Sequence, residues 1–151
     1  MPQDGDKDRF DLQRFVKAQE WVYERALGEM RRGHKQSHWM WFIFPQFDGL
    51  GFSPTTKLYS IKSITEAQAY LAHPTLGPRL LECTSAVLAH AGRSAAAIFG
   101  SPDDVKLRSS MTLFASVSPD DSVFHQVLGQ FYGGQPDPQS LQLLASANKV
   151  E

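Results

Sequence analysis

Cysteine is nearly absent from this sequence. The 151 residues contain one, Cys83, so no internal disulfide can form and stability must come from a packed core, as suits a reducing compartment. A surplus of charge is missing as well. With a formal net charge of −1 and a pI near 6.5, the chain lacks the basic field that recruits nucleic acid or an anionic membrane, and neither is an expected partner. Only Arg31, Arg32, His34 and Lys35 form a local basic cluster. No apolar run is long enough to span a bilayer, and the polar start through Asp8 has no signal-peptide core, so the expected location is cytoplasmic. There is no Walker loop, nucleophile elbow, paired-cysteine motif or His-Glu zinc motif. Gly49 and Gly51 are too close together to form a phosphate loop. His34 and His38 are four apart, but Gly33 adjoins them and no carboxylate or cysteine sits nearby. Neither a metal nor a cofactor is expected.

What the chain does have is an aromatic concentration. Ser37 to Gln46 (SHWMWFIFPQ) holds two of the three tryptophans and two of the ten phenylalanines. At roughly 150–250 Å² buried per aromatic side chain, such a run cannot stay in water, so it is either the middle of a core or the wall of a pocket. Polar residues bracket it, Lys35 and His38 before and Gln46 after. Trp39 and Trp41 would point to different sides of a helical turn, so one is expected to line a pocket and the other to pack in the core.

The rest reads as helices. Leu12, Phe15, Val16, Gln19, Val22, Ala26, Leu27 and Met30 recur at amphipathic spacing, which predicts one long first helix stopped by Gly33. The aromatic run has no second alternating segment to pair with and is expected to form a short buried turn closed by Pro45, with Asp48 to Pro54 a loop. Ser63-Ile64-Thr65-Glu66 has the form of a capping box and predicts a helix from Ile64 to about Ala72, broken at His73-Pro74. A longer helix then runs from Leu76 toward Gly92, and Ser94 opens a short turn through Phe99. Ser101-Pro102-Asp103-Asp104 and Ser118-Pro119-Asp120-Asp121 repeat one tetrapeptide, with serine expected at each N-cap. Asp137-Pro138 caps a last helix through Leu144. The expected architecture is an all-α, compact multi-helical single domain over residues 9–145, without significant sheet, between a disordered tail at 1–8 and a frayed one at 146–151.

One helix has unusual composition. Beyond Ser101, the residues Asp104, Arg108, Ser109, Thr112 and Ser116 fall on adjoining rows. A solvent-facing helix would carry lysine and glutamate there, whereas short hydroxyls around one arginine fit a wall facing a buried polar space. The alternative is structural: Arg108 pairs with Asp104, and the hydroxyls bond the preceding turn.

At Ser37 to Gln46, and again at Lys106 to Phe114 (KLRSSMTLF), the chain resembles the bacterial domain of unknown function 1810 family; Tyr70 to Leu80 and Ile98 to Asp104 also match that pattern. The resemblance covers nearly the whole chain and implies a multi-helical intracellular fold of the kind called Rv-1873-like, with no established activity. Members often carry the label calpastatin, a disordered and repeat-bearing protease inhibitor, whereas this chain has a large aromatic core, firm caps and no repeats. The order of helices and the proline break are also similar, at the level of fold, to helical domains proposed to process NAD or ADP-ribose derivatives.

The functional expectation is a polar, aromatic-walled pocket that binds a small anionic or nucleotide-like molecule. Lys106 and Arg108 would meet negative charge, Gln46, Ser109 and Thr112 would give hydrogen bonds, and Trp39 or Trp41 would stack on a planar group. Were the protein an enzyme, His38 or Asp104 would be its acid or base, and the reaction hydrolysis or transfer at a glycosidic or phosphate bond. The alternative is a non-catalytic interaction module with the aromatic run beneath a partner-binding groove. Convergence of His38, Arg108 and Thr112 on one concavity separates the two.

Overall fold

A computed structural model describes residues 8–150, with the backbone alone at 149 and 150. Most of the expected 1–8 tail and the final residue lie outside these. Ten helices follow one another among the described residues: α1 Gln13–Gln19, α2 Tyr23–Arg32, α3 Met40–Ile43, α4 Pro54–Tyr59, α5 Ile64–Ala72, α6 Leu76–Leu88, α7 Ala95–Phe99, α8 Asp103–Ala115, α9 Val123–Tyr132 and α10 Pro138–Val150. The architecture is all-α. No strand occurs among the described residues, and the sole ladder-like contact there is an isolated parallel bridge between Phe47 and Ile61.

The core is built around α8, which packs against α7, α9 and α10, while α6 packs against α2, α5 and α9. Every residue from Ser109 to Ala115 is buried, so α8 has no wet face along its second half. Where α5 gives way to α6 the backbones come very close: a Cβ at Gly77 would stand 2.2 Å from the Leu71 carbonyl oxygen. Gly33 closes α2 at φ 72, as its sequence position predicts.

Several expectations need correction. The first helix is two, because the chain tightens after Gln19 (Glu20 N–H to the Lys17 carbonyl, Val22 N–H to the Gln19 carbonyl), leaving Trp21 88% exposed. That break turns Gln19 inward, where its amide donates to the Phe42 carbonyl at 2.7 Å and to the Tyr70 hydroxyl at 3.3 Å. The segment read as a loop through Pro54 contains the start of α4, capped by Ser53, whose hydroxyl accepts the Thr56 N–H. The two repeated tetrapeptides do not cap through their serines. Pro102 stands at the N-cap of α8, and Ser122, not Ser118, caps α9 by accepting the His125 N–H. His73 caps as well, but toward amides: its Nδ1 accepts from Thr75 and Leu76 at the head of α6. Lastly, α10 continues through Val150, past the expected fraying point at Ser146.

The tryptophans separate cleanly. Trp39 is fully buried against Phe44, whereas Trp41 is half-buried. Trp39→Ala is therefore expected to destabilise the domain by about 3–5 kcal/mol in denaturant melts, and Trp41→Ala by clearly less; equal losses would contradict this division.

Candidate functional site

The aromatic segment is held in place by a carboxylate. Glu29 lies on the inward side of α2, three residues after Ala26, and is 2% exposed. It accepts the Gln36 amide (2.9 Å), the Ser37 amide (3.0 Å), the Ser37 hydroxyl (2.5 Å) and the Trp39 indole N–H (2.8 Å). Burial by itself raises the Glu29 pKa, but the bonds from Ser37, Gln36 and Trp39 outweigh it and hold the group at about 2. On the other side of Trp39, Lys35 is committed too. Its side chain is 6% exposed, donates to the Ser37 carbonyl at 2.6 Å, pairs with Asp103 at 2.8 Å and lies 4.9 Å from the Trp39 ring centroid. The N-terminus of α8 is thus tied to the aromatic segment.

That tie creates a cleft. The Lys106 ammonium stands 5.7 Å from the Trp41 ring centroid, and together they border a cavity of about 20 Å³ with Met40 and Phe44, Gln46, and Thr56, Tyr59 and Ser60 from α4 and its end. The isolated bridge brings the two far walls together: Ile61 N–H donates to the Gln46 carbonyl, and Asp48 N–H to the Ile61 carbonyl, each at 2.9 Å. Among the described residues, the Gln46 amide, the Tyr59 hydroxyl, the Trp41 indole N–H and the Lys106 ammonium make no hydrogen bond. The nearest carboxylate oxygen to Lys106 is on Asp103, at 3.9 Å. Four polar groups with free capacity therefore meet at one apolar-floored cleft. As it stands the cleft holds little more than a water. The wall that could yield is α4, which buries none of its residues.

The remaining expected site residues go elsewhere. Arg108 turns the other way and donates to the Gln135 carbonyl at 2.8 Å. Ser109 donates to the Asp137 carboxylate at 3.1 Å, and Thr112 accepts the Asp137 amide at 2.8 Å while donating to the Arg108 carbonyl. The hydroxyl stripe does face a buried polar space, but Asp137 fills it, and the same carboxylate caps α10 through the Ser140 amide. Asp104 offers its backbone carbonyl to the Tyr132 hydroxyl at 2.6 Å, away from the cleft. His38 is exposed, and Trp39 is sealed in the core. So Trp41, Gln46 and Lys106 come together, whereas His38, Trp39, Asp104, Arg108, Ser109 and Thr112 do not join them. The cleft lining holds no histidine and no carboxylate, so it supplies no acid–base pair.

A family model described as a protein of unknown function (DUF1810) matches residues 9–144. The chain belongs to the DUF1810 family. Among solved structures it is similar to the conserved hypothetical protein Rv1873 from Mycobacterium tuberculosis, at 54% identity and a TM-score of 0.89, over 91% of this chain and 99% of that one. No curated protein matches.

Sequence reasoning missed Glu29, Asp103 and Tyr59 in this DUF1810 chain. Glu29 left a signal, a carboxylate beside the apolar row of Ala26 and Met30. Tyr59 was hidden because Ser53-Pro54 was read as loop rather than as a helix start. In the DUF1810 fold the depressed Glu29 pKa makes a definite acid-side prediction. The ordinary value is 4.5 and the folded one about 2, so this stabilisation is complete above the first and is lost as pH falls toward the second. Glu29→Gln is expected to cost on the order of 3 kcal/mol at neutral pH and to flatten stability across that acid window in urea melts. An unchanged acid limb would show that Glu29 does not carry it.

Proposed function

We propose that the protein binds a small anionic molecule bearing a planar group, of nucleotide or ADP-ribose-like kind, in the cleft between Trp41 and Lys106. The supporting observation is the meeting there of one lightly paired cation with three polar groups that have no internal hydrogen bond, on a floor of Met40 and Phe44. A buried or half-buried polar group without a partner costs free energy, and a ligand that supplies the missing bonds recovers it. Binding is the reading supported best; hydrolysis or transfer would need an acid or base brought by the ligand or by movement of α4. Among the described residues no helix is long and apolar enough to cross a membrane, and with the buried Cys83 a cytoplasmic location is proposed.

A second reading, a non-catalytic interaction module, draws on Phe52 and Leu58, which are exposed in and just before α4. A thermal-shift screen against nucleotides, NAD derivatives and phosphorylated metabolites, followed by calorimetric titration of the best hit, separates the readings. Lys106→Met is expected to weaken that hit about tenfold or more with little change in melting, the cost of one charge-assisted hydrogen bond. Arg108→Gln is expected to lower stability and leave the affinity alone. No hit, or a hit indifferent to Lys106→Met, would favour the interaction module.

A further inference from the structure

We infer that the cleft selects ligands carrying a single negative charge, and that Asp103 is the residue that sets this limit. The inference rests on the binding reading above and sharpens it. Of the residues lining the cleft, Lys106 alone is charged. There is no arginine fork among them to chelate a phosphate dianion.

The charges behind the lining are already matched. Asp103 gives one carboxylate oxygen to buried Lys35 at 2.8 Å and leaves the other 3.9 Å from Lys106, so two lysines share one carboxylate and the group carries a net charge of about +1. Across the cleft Lys62 donates to the Ser60 hydroxyl at 2.6 Å and to the Lys57 carbonyl, and lies 3.9 Å from Asp48, a cancelling pair. The positive end of α8 is offset by its own first-turn acids, Asp103 and Asp104. A monoanion neutralises this site. A second negative charge would sit near the Asp103 carboxylate with no cation of its own and would lose its hydration for nothing.

The test is a charge ladder on one heterocycle, by calorimetry at matched ionic strength and about pH 8, where a terminal phosphate has lost its second proton. The probes are adenosine, the methyl ester of adenosine 5′-monophosphate, the monophosphate itself and adenosine diphosphate, carrying none, one, two and three charges. The methyl ester is expected to bind tightest. Asp103→Asn should move the preference toward the monophosphate by about threefold or more, because it adds one positive charge to the site. Since that change also leaves Lys35 without its partner, Lys106→Met gives an independent arm: it should bring the methyl ester down to adenosine. Tightest binding by the monophosphate or diphosphate in the wild type would overturn the inference and leave the binding reading standing. So would a ladder of which no member binds while another screened molecule binds through Lys106. Failure of every compound tested would remove both.

Discussion

A buried carboxylate with no counter-ion, Glu29, fixes the part of the fold on which everything else depends. Removing a carboxylate from water costs several kcal/mol, and here four hydrogen bonds, two from backbone amides, one from a hydroxyl and one from an indole, make up the loss. Their geometry leaves Trp39 one position, inside. Because α3 begins at the next residue, Trp41 emerges on the opposite side and meets Lys106 on α8. The cleft is thus a consequence of how the core is anchored. Lys35 reinforces the arrangement by tying Asp103, at the start of α8, to the same segment.

On the far side of α8 the same helix does structural work with its hydroxyls. Ser109 and Thr112 hold Asp137 from two directions, and Asp137 caps α10. Short hydroxyls on a buried helix suit this task, because each satisfies the backbone of its own preceding turn as well as its neighbour and leaves little polar capacity unmatched. One helix therefore serves two ends: its first turn and Lys106 face the cleft, and its middle forms a dry seam.

Much of the fold was legible in the residues, since amphipathic spacing and caps are local properties. Ser63 starts α5 where its spacing with Glu66 implies, and Gly33 and Gly133 stop α2 and α9 in the left-handed conformation. Ser-Pro pairs were less faithful. Ser53-Pro54 opens a helix, whereas Ser101-Pro102 and Ser118-Pro119 do not put serine at the cap, because a single dipeptide fits both a helix start and the turn before it. The candidate site was half legible for a related reason. Helical rows identify which residues share a face but not what covers that face, so Lys106 and Arg108, two positions apart, were grouped although they point to different neighbours. The partners of Lys35 and Glu29 lie on other elements or in a bent loop, and no local pattern encodes them.

The central claim is that Trp41, and not Trp39 or exposed Trp21, meets the ligand. Each tryptophan gives its own indole N–H signal in a nitrogen-15 correlation spectrum of the labelled protein, assigned by single Trp→Phe variants. On titration with the methyl ester of adenosine 5′-monophosphate, the Trp41 signal should move with saturation while those of Trp39, bonded to Glu29, and Trp21 stay in place. Movement of Trp21 alone, with Trp41 unmoved at saturation, would contradict the account.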